Sequence, residues 1–301
     1  MNSNAIAQVR RFNRIVTQRV GALNDRFLSR DRSLGEARLL WEIGAGGPDG
    51  RDVRSLRTEL GLDSGYLSRL LQALQSAGLV EVGSNESDRR VRVARLTKAG
   101  RAERAVLDRR SDDLAESILA PLSANQQTRL ASAMAEVELL LTATMVEIAP
   151  VDSTHPDARY CLSAYFAELD HRFETGFHPE LSIPAGVAEL RPPTGLMLLA
   201  TLRGEPIGCG GLKFHADGPT EIKRMWVAKS ARGLGVGRRL LADLEAHAAA
   251  HGATAVQLET NRALVEAIRL YKSAGFVEIE PYNDEYYAHH WFEKQLTPKW
   301  D

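Results

Sequence analysis

Three glycines at alternate positions, Gly233, Gly235 and Gly237, lie between two arginines and directly before an apolar helical pattern. Glycines with this spacing leave backbone N–H groups uncovered where a helix begins. The first N–H groups of a helix have no intrahelical acceptor, and the helix dipole favours negative charge at that end. The stretch therefore predicts a site for an anionic group, and a phosphate is the first candidate.

The spacing distinguishes three kinds of phosphate-binding turn. A P-loop requires Lys followed by Ser or Thr after its last glycine, and this pair does not follow here. A dinucleotide-binding turn requires G-x-G-x-x-G, and Leu240 stands where the third glycine would be. The remaining pattern is R-x-x-G-x-G, formed by Arg232, Gly235 and Gly237.

Two neighbouring stretches extend this pattern. "TEIKRMWVAKS" precedes the turn, and "LETNRALVEAIRLYKSAGF" follows it, with Asn261 after a strand and a helix that ends in L-Y-x-x-x-G-F. Together they resemble the GNAT superfamily of acyl-CoA-dependent N-acyltransferases, over about residues 145–296. The resemblance implies that the turn holds the pyrophosphate of coenzyme A, with acetyl-CoA as the expected cofactor. The expected cofactor-binding residues are Met225, Trp226, Val227, Arg232, Gly233, Leu234, Gly235, Val236, Gly237, Arg238 and Asn261.

The same resemblance implies acid–base catalysis, because an amine attacks a thioester only when the amine is neutral. Glu221 stands on the central strand where several family members have the general base, and Tyr271 stands where the family has the general acid. Backbone N–H groups around Met225–Val227 would polarise the thioester carbonyl. The alternatives are a salt bridge from Glu221 to a neighbouring cation and a packed core position for Tyr271.

The acceptor site is expected beneath the first helix of the C-terminal half, together with aromatic and imidazole groups near the C-terminus. These residue types indicate a small amine or an amino acid, and Arg172 is a candidate partner for an acceptor carboxylate. Ordinary packing or exposure is the alternative for each side chain. The expected acceptor-binding residues are Tyr165, Glu168, Arg172, Phe173, Phe177, Tyr287 and His289.

The N-terminal half has two short helical patterns followed by a polar-tipped β-hairpin pattern, over residues 52–97. This is the order of a winged helix-turn-helix, whose second helix enters the major groove of double-stranded DNA. "DRRVRVARLTKAG" resembles the wing of the MarR family of transcriptional regulators, and the resemblance covers about residues 5–145. It implies that Asp88 holds Arg90 in a salt bridge. The expected DNA-binding residues are Ser64, Tyr66, Ser68, Arg69, Arg89 and Arg90.

Long helices flank this DNA-binding pattern. In the MarR family the terminal helices form the dimer, so the resemblance implies a homodimer through helices at 1–30 and 98–145. A two-fold dimer would bind a pseudo-palindromic operator. The alternative is that the apolar stripes on these helices form an ordinary core within one subunit.

Charge and composition are consistent with two functions in one chain. Residues 1–144 hold 22 Lys and Arg against 18 Asp and Glu, and residues 145–301 hold 16 against 21. An Arg-rich half joined to an acidic half favours a nucleic-acid partner for the first. The two isolated cysteines predict neither a disulfide framework nor a zinc site. Without a signal-peptide pattern or a long apolar run, we expect a cytoplasmic protein with no membrane partner.

The periodicity changes near residue 145, from helices alone to alternating strands and helices. We therefore expect a mainly α winged helix-turn-helix domain with long dimerisation helices at 1–144. An α/β GNAT acyl-CoA-binding fold with a mixed sheet is expected at 145–301. The leading hypothesis is a bifunctional transcriptional regulator and N-acetyltransferase of a small-molecule amine. The alternatives are a transcription factor whose GNAT-like half only senses a ligand, and an acetyltransferase whose N-terminal half chiefly dimerises.

Overall fold

The computed structural model describes residues 3–22, 28, 31–84, 88, 90–183, 186–216 and 218–296. The chain divides into two compact units, Met1–Met134 and Ala135–Asp301. This division falls inside a long helix, so the functional boundary expected at residue 144 stays a prediction. Within the described ranges, no helix combines the length and the apolar character needed to cross a membrane.

The first unit is mainly helical, with a three-stranded sheet of strand order β1-β3-β2. Its elements are α1 (Ser3–Arg19), α2 (Leu34–Ala45), β1 (Arg51–Asp52), α3 (Val53–Leu60), α4 (Ser64–Ser76), β2 (Val80–Ser84), β3 (Arg92–Leu96), α5 (Lys98–Leu119) and the first part of α6 (Ala124–Thr144). Two helices followed by an antiparallel hairpin form the winged helix-turn-helix that the sequence predicts.

Local capping explains where these helices begin. The Ser33 side chain and Glu36 form a capping box at the start of α2. Asp63 accepts a hydrogen bond from the Tyr66 amide at the start of α4, and Thr97 accepts one from the Gly100 amide at the start of α5. Each side chain satisfies an amide that otherwise has no intrahelical acceptor, typically worth about 1 kcal/mol.

The second unit contains a seven-stranded mixed sheet of order β4-β5-β6-β7-β8-β10-β9. Its elements after α6 are β4 (Val146–Val151), α7 (Pro156–Arg172), β5 (Gly195–Leu202), β6 (Glu205–Lys213), β7 (Thr220–Val227), α8 (Val236–Ala250), β8 (Ala255–Thr260), α9 (Val265–Ser273), β9 (Val277–Ile279) and β10 (His290–Gln295). The apolar residues of α8 pack on the central strands in one large core cluster.

Two irregularities in β7 shape this sheet. β7 runs parallel to β8, and the described pairing between them covers Thr220 with Val256 and Glu221 with Gln257. The two strands separate beyond these pairs. On the other side of β7, Arg224 and Met225 lie opposite the single residue Gly210 of β6, which is a β-bulge. The separation and the bulge together leave a wedge-shaped opening in the middle of the sheet.

Candidate functional site

The larger cavity of the second unit lies at this opening and has a volume of about 490 Å³. β7, the glycine turn, α7 and α9 provide its walls. Nine of the residues expected to bind the cofactor line it, namely Met225, Trp226, Val227, Arg232, Gly233, Gly235, Val236, Gly237 and Arg238. The structure therefore brings the glycine turn and the end of β7 to one cleft.

The start of α8 presents free backbone donors to this cleft. Gly233 and Gly235 have φ values of 88° and 75°, a left-handed conformation that glycine adopts without strain. Among the described residues no side chain caps the helix. The amides of Val236, Gly237 and Arg238 occupy the first helical positions, where no intrahelical acceptor exists. An anion placed here would accept these N–H groups at the positive end of the helix dipole.

A glutamate of α7 organises the cations at the same cleft. The Glu168 carboxylate accepts hydrogen bonds from the Arg232 guanidinium at 2.6 and 2.7 Å and from Trp226 Nε1 at 3.0 Å. Arg172 Nη1 lies 3.2 Å from the same carboxylate, and Arg172 Nη2 lies 2.7 Å from Glu266. Burial opposes ionisation of Glu168, but the bonds from Arg232, Trp226 and Arg172 outweigh it and lower the pKa of this carboxyl. Arg172 thus has two carboxylate partners within the protein, in the larger cavity.

Two of the expected cofactor-binding residues lie elsewhere. The Leu234 side chain is buried in the main core cluster of the unit. Asn261 is buried at a smaller cavity, where its Nδ2 donates to the Tyr287 carbonyl at 2.7 Å and its Oδ1 accepts from the Ala263 amide at 2.9 Å. Asn261 therefore connects the end of β8 to the segment before β10.

This smaller cavity has a volume of about 90 Å³ and a wall that combines aromatic rings with polar and charged side chains. Tyr165, Phe173, Phe177 and Tyr287, all expected at the acceptor site, line it. The Phe177 and Tyr287 rings are 4.9 Å apart, and the Tyr287 hydroxyl accepts a hydrogen bond from the His178 amide at 2.8 Å. The other expected acceptor residues lie outside it, because Glu168 and Arg172 line the larger cavity and the exposed His289 lines neither.

The two cavities meet at Tyr271. Tyr271 and Met225 are among the residues that line both. The Tyr271 side chain is buried, and burial raises the pKa of its phenol well above the ordinary value. The hydroxyl therefore stays protonated at neutral pH and can donate a proton or a hydrogen bond.

Glu221 belongs to a charge cluster that reaches the smaller cavity through the buried Lys223. Its carboxylate lies 2.8 Å from Lys223 Nζ and 3.2 Å from His215 Nε2, and it lines neither cavity. Lys223 also contacts Glu259 at 2.5 Å. Burial opposes the charge on Lys223, but Glu259 and Glu221 together outweigh that cost and raise the pKa of the ammonium group.

Several polar residues of the smaller cavity were not expected from the sequence, namely Ser182, Lys223, Arg224, Glu259, Thr260 and Glu285. Glu259 lies two positions before Asn261 along β8, so strand alternation offered a signal for it. Its carboxylate accepts a hydrogen bond from the Tyr282 hydroxyl at 2.6 Å. Arg224 offered no such signal, because the bulge interrupts the alternation of β7 at that residue.

The helix-turn-helix of the first unit displays the residues expected to contact DNA. Ser64, Tyr66, Ser68 and Arg69 are exposed on α4, and the Arg69 guanidinium lies 5.6 Å from the centroid of the Tyr66 ring. In the wing, Arg90 is exposed and bonds the Asp88 carboxylate at 3.2 and 3.3 Å, which confirms the expected salt bridge. Arg90 also lowers the pKa of Asp88. Arg89 lies outside the described residues.

Comparison with known proteins matches both halves. The Acetyltransferase (GNAT) family model matches residues 161–276, and the MarR family model matches residues 31–91. An IAA acetyltransferase of Azospirillum brasilense is 34% identical over 125 residues, which cover 41% of this chain and 74% of that protein.

Solved structures also resemble parts of the chain. A GNAT-family acetyltransferase of Staphylococcus aureus is 16% identical with a TM-score of 0.44, covering 50% of this chain and 99% of that one. A probable transcriptional regulator of Pseudomonas aeruginosa is 24% identical with a TM-score of 0.37, covering 43% of this chain and 96% of that one.

The GNAT match supports acyl-CoA binding, which agrees with the uncapped helix start in the larger cavity. The MarR match covers the helix-turn-helix and the first strand of the wing, and it ends before β3. The chain therefore belongs to the GNAT family of N-acetyltransferases, and ahead of that domain it has a winged helix-turn-helix whose residues 31–91 match the MarR family model.

Proposed function

We propose that residues 145–301 transfer an acetyl group from acetyl-CoA to the amine of a small molecule or an amino acid. The observation that carries this proposal is the meeting of the two cavities at Tyr271. One cavity leads to the uncapped start of α8, and the other is enclosed by aromatic side chains. A cofactor with an anionic end and an amine acceptor would thus meet beside one phenol.

The residues of the larger cavity fit acetyl-CoA, which supplies an activated thioester when bound. The amides of Val236, Gly237 and Arg238 would hold the pyrophosphate. Backbone N–H groups around Met225–Val227 would donate to the thioester oxygen as negative charge develops on it. Beyond Glu221, the described part of β8 pairs with no residue of β7, which leaves that edge of β7 open toward the cleft.

Two proton transfers accompany the reaction. The amine loses a proton as its nitrogen bonds to the acetyl carbon, and the sulfur gains a proton as the carbon–sulfur bond breaks. Tyr271 would donate to the sulfur, since its raised pKa keeps the phenol protonated. We place the direct proton acceptor at Glu259, which lines the acceptor cavity, with Glu221 connected to it through Lys223.

We further propose that residues 1–144 bind a pseudo-palindromic operator as a homodimer, in the cytoplasm where DNA and acetyl-CoA are both present. Apolar side chains of α1 form an exposed stripe at steps of three and four residues, Ile6, Val9, Phe12 and Val16. Met134, Leu140 and Leu141 of α6 are exposed as well. A second subunit covering these stripes would remove apolar surface from water. Residues 23–27 and 29–30 of the expected dimer helices lie outside the described residues.

The enzymatic proposal is tested by calorimetry with acetyl-CoA and by CoA release over a panel of amines. Binding with an affinity in the micromolar range, together with amine-dependent CoA release, is the expected result. Binding without release for any amine would favour the ligand-sensing alternative. No binding of acetyl-CoA would overturn the proposal.

The regulatory proposal is tested with DNA fragments from the protein's own genomic locus. We expect specific binding by a dimer at half-sites about 10 bp apart, as two-fold symmetry requires. Only sequence-independent binding would favour the dimerisation-module alternative. Because a single residue separates α6 from β4, operator titrations should be repeated with saturating acetyl-CoA. Identical curves would show that the two activities are energetically independent.

A further inference from the structure

An arginine without an anionic partner among the described residues lies half-buried in the wall of the smaller cavity. Arg224 occupies the β-bulge of β7 with φ at +57°, a left-handed conformation that is costly for a residue with a side chain. Strain of this kind persists where the surrounding structure determines it and is enriched at functional sites. The bulge turns the Arg224 side chain into the wall of the cavity that the proposed acceptor would occupy.

The surroundings of Arg224 satisfy the flat face of its guanidinium but leave one donor unpaired. The guanidinium lies 4.9 Å from the centroid of the Phe166 ring and 5.9 Å from that of Tyr165. Its Nε is buried, and within the described part of the chain it has no hydrogen-bond partner. The side chain as a whole is half-buried, and none of the described carboxylates forms a salt bridge with it. A buried donor without an acceptor, on a cation without a counter-ion, is unfavourable, so this arrangement predicts an anionic ligand.

The neighbouring cations differ from Arg224 in this respect. Arg172 is held by Glu168 and Glu266, and Arg232 is held by Glu168. Lys223, next to Arg224 in sequence, contacts both Glu221 and Glu259. Arg224 is therefore the cation of the smaller cavity that is available to a bound carboxylate.

Two carboxylates, those of Glu259 and Glu285, line the same cavity. Glu285 accepts hydrogen bonds from the Ser182 hydroxyl at 3.0 Å and the Ile183 amide at 2.7 Å, without a cationic partner among the described residues. A cavity that presents one unpaired cation and two carboxylates is complementary to a zwitterion. The aromatic wall adds apolar contact for the remainder of such a molecule.

We propose that the acetyl acceptor is a small free amino acid, whose carboxylate binds Arg224 and whose amine points toward Glu259. This inference rests on the acetyl transfer proposed above and specifies its substrate. The bound ammonium group gives one proton to Glu259 and attacks the acetyl carbon as the neutral amine. As the carbon–sulfur bond breaks, the nitrogen releases a second proton to solvent and the departing sulfur takes its proton from Tyr271, which solvent then reprotonates. The cavity volume of about 90 Å³ limits the enclosed part to a small molecule. Aromatic rings line one part of the wall, so the part of the amino-acid side chain that faces them is expected to be apolar.

The first test uses the unmodified protein. CoA release is measured with the twenty common amino acids, with the carboxamide of each, and with simple amines that lack a carboxylate. We expect one or more apolar amino acids to be acetylated with a kcat/KM about 30-fold or more above that of the matched carboxamide, because an unpaired buried charge is costly. Equal use of acid and carboxamide, or use only of amines without a carboxylate, would overturn the inference.

The second test uses Arg224→Gln and Arg224→Lys. The glutamine variant should raise KM for the amino acid by about 30-fold or more, with little change in kcat or in acetyl-CoA affinity, and should erase the preference over the carboxamide. The lysine variant should recover part of that preference. Arg203→Gln is the matched control, because Arg203 also has a positive φ, 54°, but is exposed and lines neither cavity.

The outcomes separate this inference from the proposed function. If acetyl-CoA binds and amines are acetylated, but Arg224→Gln retains the wild-type preference for acids, the amino-acid assignment fails alone. If acetyl-CoA does not bind at all, acetyl transfer fails, and the substrate assignment falls with it.

Discussion

The guanidinium of Arg232 contacts both carboxylate oxygens of Glu168, at 2.6 and 2.7 Å, across 64 residues of sequence. Arg232 belongs to the glycine turn and Glu168 to α7, so the pair links the cofactor turn to the helix that borders both cavities. Glu168 also holds Trp226 and Arg172. This carboxylate therefore fixes the direction of the Arg232 guanidinium, whose Nε also donates to the Val227 carbonyl at 3.3 Å.

Glu168→Gln should lower the stability of the protein by about 1 kcal/mol at pH 7, since its hydrogen-bonded charge pairs are only partly screened by water. The pKa of Glu168 is lowered in the folded protein. Its contribution to stability is thus present above the ordinary carboxyl range and is lost as the pH falls through the folded-state pKa. Thermal unfolding measured at pH 7 and in the acid range should show that the stability difference between the wild type and Glu168→Gln narrows as the pH falls. Glu174→Gln is the control, because Glu174 is an exposed glutamate just after the C-terminal end of α7. An equal loss of stability in that variant would contradict the argument.

Gly235→Asp should weaken acetyl-CoA binding at least about tenfold relative to Gly235→Asn, a difference of about 1.4 kcal/mol. Aspartate and asparagine side chains have nearly the same shape, and a Cβ at Gly235 meets no described atom within 4 Å. Both would also experience the positive φ of 75°. The comparison therefore isolates the negative charge beside the start of α8. Calorimetry with acetyl-CoA measures it, and equal affinities for the two variants would exclude a pyrophosphate at this turn.

Tyr271→Phe should lower turnover by about 10²–10⁴-fold, the usual contribution of a general acid. The affinity for acetyl-CoA should change little, because the phenyl ring is retained. Burial raises the pKa of Tyr271, so its hydroxyl is protonated at every pH below the ordinary tyrosine range. The loss should therefore be constant between about pH 6 and pH 9. A loss that varies with pH over this interval, or wild-type turnover, would remove the acid role.

Glu259→Gln and Glu221→Gln should lower turnover to different extents. If Glu259 accepts the amine proton directly, its amide variant should lose about 10²-fold or more in kcat, the lower end of the usual contribution of a general base. Glu221→Gln should lose less, because Glu221 is connected to Glu259 only through Lys223, which would keep Glu259 as its partner. CoA release at saturating amine measures both variants, and a larger loss in Glu221→Gln than in Glu259→Gln would assign the base to Glu221 instead.

Arg90→Ala should weaken operator binding and reduce the slope of log affinity against log salt by about one, as expected for one lost phosphate contact. The Asp88 carboxylate would remain without its arginine partner. Arg38→Ala provides a matched control, since Arg38 is an exposed arginine of α2 that pairs with Glu42. Binding assays over a salt series measure both. An unchanged slope in Arg90→Ala would show that the wing arginine does not contact the DNA backbone.

The amino-acid sequence by itself determined much of this protein, through features that act over a few residues. Glycine spacing before an apolar helix predicted the uncapped start of α8, because turn conformation and missing acceptors are local properties. Helical periodicity followed by alternation predicted the two short helices and the hairpin of the winged helix-turn-helix over residues 52–97. The L-Y-x-x-x-G-F pattern placed Tyr271 on its helix, where the structure has it lining both cavities.

Tertiary structure alone decided which charged groups face one another. Arg172 has the residue type to bind an acceptor carboxylate, yet its guanidinium already forms salt bridges with Glu168 and Glu266. Arg224 is left without such a partner, because a bulge in β7 turns it into the acceptor cavity. Pairings of this kind join positions far apart in the chain, and their outcome depends on burial and competition among neighbours. Residue type and spacing reveal neither burial nor competition among neighbours. Only the folded protein therefore shows that Arg224 lacks a carboxylate partner among the described residues.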